Sequence, residues 1–420
     1  MNILFLSLSN FGTIKTKGIY ADLLRKFHDE GHSIYAISPV ERKYNQSAAL
    51  FREDNACIVK VKILNMQKTN IVEKGLSMLT IDSIMIRAIK KYFSDIKFDL
   101  ILYPTPPITF LNVVKYVKNR DGAKTYLLLK DIFPQNAVDI GMMSKSGLKG
   151  LLYNHFRRVE KKLYKVSDFI GCMSQANVDY VLKHNPEIDP KKVEVCPNSI
   201  DVVDKSVDDS TRRQIREKYG IPLDKKVFVY GGNLGKPQSV PFIIECLKTC
   251  ENIDDIFFLI VGDGTDYRLL ENYINASQQK NLKLMKRLPK EDYDTLVGAC
   301  DVGLIFLDHR FTIPNFPSRL LSYMQAKIPV LACTDPNTDI GKVITEGGFG
   351  WWCESNDADG FRNTVLQILQ KDTGKMGEIG YEYLKAHYSV EQSYETIMKH
   401  FDGVCVSDVE TCRGASQEIM

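Results

Sequence analysis

Three short stretches in the second half of the chain combine small residues with polar or charged ones in a way that suits phosphate binding. Residues 231–236 (GGNLGK) and 262–264 (GDG) each follow an apolar run. Glycines at such turns let backbone N–H groups approach an anion closely. Residues 316–324 (FPSRLLSYM) are typical of a helix start, where unpaired N–H groups are partly positive. Each stretch is also typical of an ordinary turn or helix start, so the prediction depends on all three meeting at one site.

Two side chains in these stretches are the candidate catalytic cations for that phosphate site. The Lys236 ammonium would neutralise phosphate charge, and the Arg319 guanidinium could bind it through two parallel hydrogen bonds. Further candidate ligands at the same site are Gly231, Gly232, Asn233, Gly262, Asp263, Gly264, Arg287, Pro317, Ser318 and Ser322.

Motifs of other phosphate-using classes are absent from the sequence. The first apolar stretch is not followed by GxGxxG, and the chain has no GxxxxGK[ST], which disfavours a dinucleotide oxidoreductase and a P-loop protein. Ten cysteines are scattered without a CxxC pair, which is typical of reduced, buried thiols in a reducing compartment. We therefore expect neither a metal nor a cofactor.

Alternating apolar strands and amphipathic helices must position these stretches. We predict strands at residues 3–8, 33–38, 99–103, 125–130, 168–174, 193–196, 226–230, 257–261, 282–286, 302–306 and 330–333. Strands separated by helices need parallel crossovers, so the fold class is α/β, with two Rossmann-like, doubly wound parallel sheets. Ligands bind beyond the carboxyl ends of such strands, which predicts a central cleft between two domains.

The predicted domain boundary follows a turn-like Pro-Asn pair. Residues 1–200 form the first domain and residues 201–389 the second. We expect a helix at about 390–401 to pack back on the first domain, and residues 402–420 to form a loose tail.

Charge is divided unevenly, although the net charge is only +3. Residues 1–200 hold 30 lysines and arginines against 19 acidic residues, so the first domain is expected to face an anionic partner. A predicted helix at 145–165 carries seven of these cations, with Leu151 and Tyr153 expected at its surface and Leu152 in its core stripe. The pattern suits an anionic membrane surface and, equally, a solvated helix face. No nucleic-acid-binding motif accompanies the basic residues, so nucleic acid is not expected as a partner.

The order and spacing of several short blocks resemble the glycosyltransferase family 4 enzymes of bacterial capsule and O-antigen synthesis, over about residues 1–400. These blocks are residues 2–6, 18–24, 103–107, 131–135, 197–201, 262–264 and 317–330. The resemblance implies the GT-B fold and a retaining, metal-independent transfer of a hexosyl or N-acetylhexosaminyl group from a nucleotide-diphosphate sugar, for which we expect UDP. It also implies a lipid-linked saccharide acceptor. With no spanning apolar run or signal peptide in the sequence, we expect a cytoplasmic protein, peripheral on the inner face of the plasma membrane.

Under this interpretation, the acceptor enters from the first domain. A loop carrying Thr13, Lys17 and Gly18 follows the first predicted strand, and Asp131 follows a later one. Asp131 could orient or deprotonate the acceptor hydroxyl. An aspartate that caps a turn explains the same residue equally well.

The sequence departs from the family pattern near the third phosphate-binding stretch. Relatives usually carry two glutamates spaced E-x7-E, whereas Pro314 and Ser322 stand at those positions here. Asn233 and Gln238 likewise stand where many relatives have arginine and lysine. A second hypothesis therefore stays open, namely a non-catalytic nucleotide-sugar-binding or scaffolding subunit of a polysaccharide assembly complex. Nucleotide-sugar epimerisation is a further alternative, which the matching blocks disfavour.

Overall fold

The computed structural model describes residues 1–8, 10–45, 48–65, 71–277 and 279–401, without the side chains of residues 71, 72, 74–76, 78 and 79. The predicted loose tail at 402–420 lies outside the described residues. Within them the chain forms two α/β domains, each built on one predominantly parallel sheet.

The first domain contains an eight-stranded sheet. Its strands are β1 (Asn2–Leu6), β2 (Ser33–Glu41), β3 (Ala49–Glu53), β4 (Ala56–Ile63), β5 (Leu100–Thr105), β6 (Lys124–Leu129), β7 (Phe169–Cys172) and β8 (Val193–Val195). Its helices are α1 (Ile19–Asp29), α2 (Ile71–Tyr92), α3 (Leu111–Asp121), α4 (Gln135–Asp139), α5 (Gly147–Val166) and α6 (Gln175–His184). The strand order is β3-β4-β2-β1-β5-β6-β7-β8, in which only the β3–β4 pair is antiparallel among the described strands.

The second domain contains a six-stranded sheet in the order β11-β10-β9-β12-β13-β14, parallel throughout its described strands. These strands are β9 (Lys226–Asn233), β10 (Ile256–Asp263), β11 (Leu282–Lys286), β12 (Val302–Phe306), β13 (Val330–Thr334) and β14 (Gly350–Glu354). The helices of this domain are α7 (Asp209–Lys218), α8 (Val240–Thr249), α9 (Tyr267–Ala276), α10 (Lys290–Gly298), α11 (Arg319–Gln325), α12 (Ile340–Glu346), α13 (Ala358–Leu369) and α14 (Thr373–His387). Helix α15 (Val390–Met398) follows them in sequence.

Burial on both faces explains why the central strands are continuous apolar runs. All six residues of β5 and all five of β12 and β13 are buried, because helices cover both sides of a parallel sheet. The predicted architecture, two doubly wound domains facing a cleft, is confirmed.

The chain crosses between the domains twice, side by side. The Ile200 N–H donates to the Tyr388 carbonyl at 3.1 Å, and the Val390 N–H donates to the Ile200 carbonyl at 3.2 Å. After the second crossing, α15 packs on the first domain, where the rings of Tyr394 and Phe27 lie 4.9 Å apart. The last described helix thereby joins the first domain although it follows the second in sequence.

Helix α5 differs from its predicted pattern at two positions. Leu152, predicted in the core stripe, is 48% exposed, and its neighbours Leu151 and Leu148 are 68% and 87% exposed. Tyr153, predicted at the surface, is half-buried. These exposed leucines lie on the first turns of α5, so the core stripe begins only at Phe156. No helix in the described part of the chain is both long and apolar enough to cross a membrane.

Candidate functional site

A cavity of about 530 Å³ lies between the two domains, at the carboxyl ends of their strands. The first domain contributes Pro106, Lys130, Asp131, Asn136 and Ile140. The second contributes Gly231, Gly232, Pro237, Gln238, Leu307, Phe311, Asn315, Phe316, Pro317, Ser318 and Arg319. Both sheets therefore direct their strand-end loops into one hollow, as doubly wound sheets do.

The two glycine turns of the second domain are packed against each other. In the β9–β10 pair, Gly232 lies opposite Gly262 and Asn233 opposite Asp263. A Cβ atom at Gly262 would lie 2.1 Å from the Gly232 carbonyl oxygen, so only glycine fits there. Gly264 packs under Leu234 in the same way. Gly232 lines the cavity, whereas Gly262 and Gly264 pack against the Gly232–Leu234 backbone and lie outside the lining.

Arg319 supplies the positive charge of the cavity from the start of α11. Its guanidinium carbon lies 4.4 Å from the centre of the Tyr230 ring, a cation–π geometry that fixes the group. The Nη1 atom is buried without a hydrogen-bond partner among the described residues. Gly232 has φ of +144°, and a Cβ atom there would lie 2.9 Å from Nη2 of Arg319. The guanidinium thus occupies space that the glycine leaves open.

Asp131 faces this charge from the first domain, directly after β6. One carboxylate oxygen accepts a hydrogen bond from the Asn136 side chain at 2.7 Å, and the other is buried without a described partner. Burial raises the pKa of Asp131 to about 6, against the opposing effects of the Ile132 N–H and Asn136. A carboxyl group with this pKa is mostly ionised near pH 7 and can still accept a proton.

Lys130 is a cavity residue that sequence reasoning missed. Its ammonium donates to the Cys196 carbonyl at 2.9 Å, and burial lowers its pKa. The signal in the sequence was its position at the end of an apolar strand, immediately before Asp131. An ammonium at this place can meet negative charge on a ligand.

Four of the residues that line the cavity carry a buried polar atom that has no hydrogen-bond partner within the described structure. They are Asp131 Oδ1, Asn136 Oδ1, Asn315 Nδ2 and Arg319 Nη1. Buried polar groups are nearly always paired in folded proteins, and an unpaired one costs about 1–3 kcal/mol. Four such atoms around one hollow indicate a site that is completed by a polar ligand.

Ser318 joins the two domains at the edge of the cavity. Its hydroxyl accepts a hydrogen bond from the Asn198 side chain at 2.6 Å, which leaves the hydroxyl hydrogen able to donate. Helix α11 spans only seven residues, so the positive character of this edge comes from Arg319 rather than from a long helix dipole.

Several predicted site residues lie outside the cavity lining. Lys236 is exposed on the short 3₁₀ helix Lys236–Gln238, and Asn233 is exposed with its amide donating to Gln238 at 2.8 Å. Arg287 is exposed after β11, and Ser322 is half-buried inside α11.

The predicted acceptor-side loop is also outside the lining. Thr13 donates to Glu53 at 2.5 Å, and the Gly18 N–H donates to Asp22 at 3.0 Å. Lys17 is exposed. These contacts hold the loop against α1 and β3.

Known proteins share both the second domain and the overall fold. Residues 211–383 match the family described as glycosyl transferases group 1. A Pseudomonas aeruginosa protein named as a probable glycosyltransferase, WbjE, is 26% identical over 71% of this chain and 72% of its own. An Escherichia coli protein named as a colanic acid biosynthesis glycosyl transferase, WcaI, is 22% identical over 59% of this chain and 60% of its own.

Solved structures match nearly the whole chain. Sucrose-phosphate synthase from Thermosynechococcus elongatus superposes with a TM-score of 0.72 at 12% identity, over 96% of this chain and 98% of its own. Anabaena HepE, solved in complex with UDP-glucose, superposes with a TM-score of 0.66 at 16% identity, over 96% of this chain and 100% of its own. At these identities the superpositions show the fold. Together with the domain match at 211–383 and the named relatives, they support a GT-B glycosyltransferase.

Proposed function

We propose that this protein is a retaining family 4 glycosyltransferase that moves a sugar from a UDP-sugar to a lipid-linked saccharide in cell-surface polysaccharide synthesis. The transferred group is a hexosyl or N-acetylhexosaminyl unit. The observation that carries the proposal is the cavity itself, where a buried guanidinium from one domain faces an aspartate of raised pKa from the other. A relative named for colanic acid biosynthesis and a solved structure containing UDP-glucose support the substrate classes.

The second domain would hold the donor through its diphosphate. As the glycosidic bond to the diphosphate breaks, negative charge builds on the departing oxygen, and preorganised donors aimed at that oxygen stabilise it. Arg319 offers an unpaired N–H group, and Ser318 and the Gly231–Gly232 backbone lie on the same wall. Lys236 is exposed outside the cavity lining and would neutralise part of the diphosphate charge from the rim of the cavity. In this proposal the protein's own cations meet the diphosphate charge, with no metal.

The first domain would present the acceptor. Asp131 lines the cavity and accepts a hydrogen bond from Asn136 through one oxygen; the other oxygen has no described partner and would accept one from an acceptor hydroxyl. Because its pKa is about 6, the carboxylate can orient that hydroxyl and take its proton as the new bond forms. Lys130 would hold negative charge on the ligand in the same region.

One observation keeps a non-catalytic, nucleotide-sugar-binding subunit as the second candidate. The positions of the two family glutamates carry Pro314 and Ser322. The Pro314 carbonyl accepts a hydrogen bond from Asn177 at 2.7 Å, which is an interdomain contact. Ser322 lies outside the cavity lining. Neither residue supplies a carboxylate, so a protein that binds the donor without transferring it is the alternative to exclude.

Peripheral attachment to the inner face of the plasma membrane is the proposed location. The exposed side chains of Leu148 and Leu151 lie on the first turns of α5, beside Lys149 and Arg158, which are also exposed. Apolar side chains flanked by cations suit an anionic leaflet. Arg157 does not contribute, because its guanidinium is bound to Glu160, Asn185 and the His184 carbonyl.

The experiment that tests the proposal is a panel of nucleotide sugars. Each is first screened for binding by thermal shift, and the binders are then incubated with lipid-linked acceptors while release of nucleoside diphosphate is measured. Stabilisation by a UDP-sugar followed by acceptor-dependent UDP release would support the transferase. Stabilisation without release across all acceptors would support the non-catalytic subunit. No stabilisation by any nucleotide sugar would contradict both.

A further inference from the structure

A second cavity, of about 470 Å³, lies beside the first, and a small apolar cluster between the domains contributes to the lining of both. Ile140, Leu307 and Phe311 of this cluster line the first cavity, whereas Ile132 lines the second. Consecutive residues also line different cavities: Asn315 lines the first and Pro314 the second. The two cavities are therefore immediate neighbours.

The second cavity is lined by both hydrogen-bond donors and acceptors. Lys145 and Lys183 supply donors and Asp179 supplies acceptors, whereas Arg157, Glu160 and Asn185 are bonded to one another. The Asn337 amide nitrogen donates to the Phe311 carbonyl, which leaves the amide oxygen to accept. An anion would need donors alone, and a cation acceptors alone. A ligand made of hydroxyl groups, each of which donates and accepts, needs this mixture.

A buried hydrogen-bond network fixes the back wall of this cavity. Glu160 is only 3% exposed and accepts from Arg157 at 2.6 Å and from the Tyr164 hydroxyl at 2.7 Å. Arg157 also donates to Asn185 at 2.7 Å. These groups are held in place before any ligand arrives, which lowers the entropy that binding would cost.

Aromatic rings complete the lining. Tyr153, half-buried on α5, has the Lys145 ammonium 5.5 Å from its ring centre. On α6 the rings of Tyr180 and His184 stack at 3.9 Å. A ring with a polar edge packs against the C–H face of a pyranose while neighbouring groups bind its hydroxyls.

We propose that this second cavity binds a neutral saccharide unit of the acceptor other than the unit that receives the transferred sugar. The inference rests on the proposed transferase function. It makes the acceptor at least a disaccharide, with one unit beside Asp131 and another in the second cavity. The diphosphate of the donor stays in the first cavity, beside Arg319.

The position of the cavity fits an acceptor delivered from a surface. Lys145 and Tyr153 line the cavity and flank, in sequence, the exposed Leu148 and Leu151 of α5. A saccharide carried on a lipid would meet this cavity between the proposed membrane face and the transfer site.

The test uses the full chain and saturation-transfer NMR with the methyl glycosides of glucose, galactose, mannose, N-acetylglucosamine, N-acetylgalactosamine, fucose and rhamnose. Spectra are recorded first without UDP and then with excess UDP, which would fill the first cavity. We expect at least one glycoside to receive saturation, and Tyr153→Ala to weaken its binding about threefold to tenfold through the lost ring contact. Tyr44→Ala is the matched control, because Tyr44 also lies under a lysine, Lys43, at 5.1 Å, but away from both cavities. Melting curves check that both variants fold.

Three results would overturn the inference. These are no saturation of any glycoside, displacement of the glycoside by UDP, and equal binding by the Tyr153→Ala and Tyr44→Ala variants. UDP-sugar binding and UDP release are measured on the same preparation. If these persist without glycoside binding, the second-cavity inference fails alone. If glycoside binding depends on Tyr153 but no nucleotide sugar binds, the proposed transferase function fails instead.

Discussion

The contact between Gly232 and Arg319 gives a sharp test of the diphosphate site. In the Gly232→Ala variant the added methyl carbon would lie 2.9 Å from Nη2 and 3.1 Å from Nη1 and the guanidinium carbon. All three distances are shorter than a carbon normally keeps, so the guanidinium must move. The backbone φ of +144° at this position also strains any residue with a side chain.

Two effects set the size of the change. The strained φ costs about 1–3 kcal/mol and should lower the free energy of unfolding by that amount. A displaced guanidinium loses its charge-assisted hydrogen bonds to the ligand, each worth about 1.5–3 kcal/mol. We therefore expect the affinity for UDP to fall about tenfold to a hundredfold.

Isothermal titration calorimetry with UDP measures this loss, and chemical denaturation measures the change in stability. Gly374→Ala is the matched control, since Gly374 is exposed on α14 and a Cβ atom there meets its nearest neighbour, Asp372, at an ordinary 3.5 Å. Wild-type UDP affinity in a folded Gly232→Ala protein would refute the placement of Arg319 at the diphosphate.

Two further predictions concern the acceptor side and the membrane. Turnover should fall as the pH is lowered through about 6, because protonated Asp131 can no longer accept a proton. The Asp131→Asn variant should lose turnover and keep its affinity for UDP. If this variant still turned over with the pH profile of the wild type, the role of Asp131 would be refuted. Replacing Leu148 and Leu151 by serine should reduce sedimentation with phosphatidylserine vesicles at low salt. The same change at the exposed Leu223 and Leu269 of the second domain should have no effect, and equal losses in both pairs would contradict docking through α5.

The strands of the two sheets show how far the sequence predicts the fold. The bounds predicted for β11 and β12 match the structure. Strand β12 is a buried apolar run, and in β11 lysines interrupt the apolar residues of a short, partly buried strand. Strands β3, β4 and β14 were not predicted. The first two form a hairpin at the sheet edge, with Leu50 and Phe51 exposed, and β14 begins at a glycine, so their patterns are less distinct.

The candidate site was predictable only where local sequence decides the geometry. Gly232 lies in a glycine-rich turn and Arg319 at a helix start, both recognisable in the sequence, and the structure brings both into one cavity. Lys130 and Asn315 enter the cavity lining because the fold brings distant parts of the chain together, as the hydrogen bond from Lys130 to the Cys196 carbonyl shows. Lys236 belongs to a glycine-rich turn, yet the short 3₁₀ helix after β9 directs it to solvent.

The central claim is that Arg319 binds the diphosphate of a nucleotide sugar. Its most direct test compares the binding free energies of UDP and uridine in the wild type and in Arg319→Ala. The two ligands differ only by the diphosphate, so their difference isolates that contact. The account predicts that the advantage of UDP over uridine shrinks by about 1.5–3 kcal/mol in the variant. An unchanged advantage, whether or not both ligands bind more weakly, would contradict it.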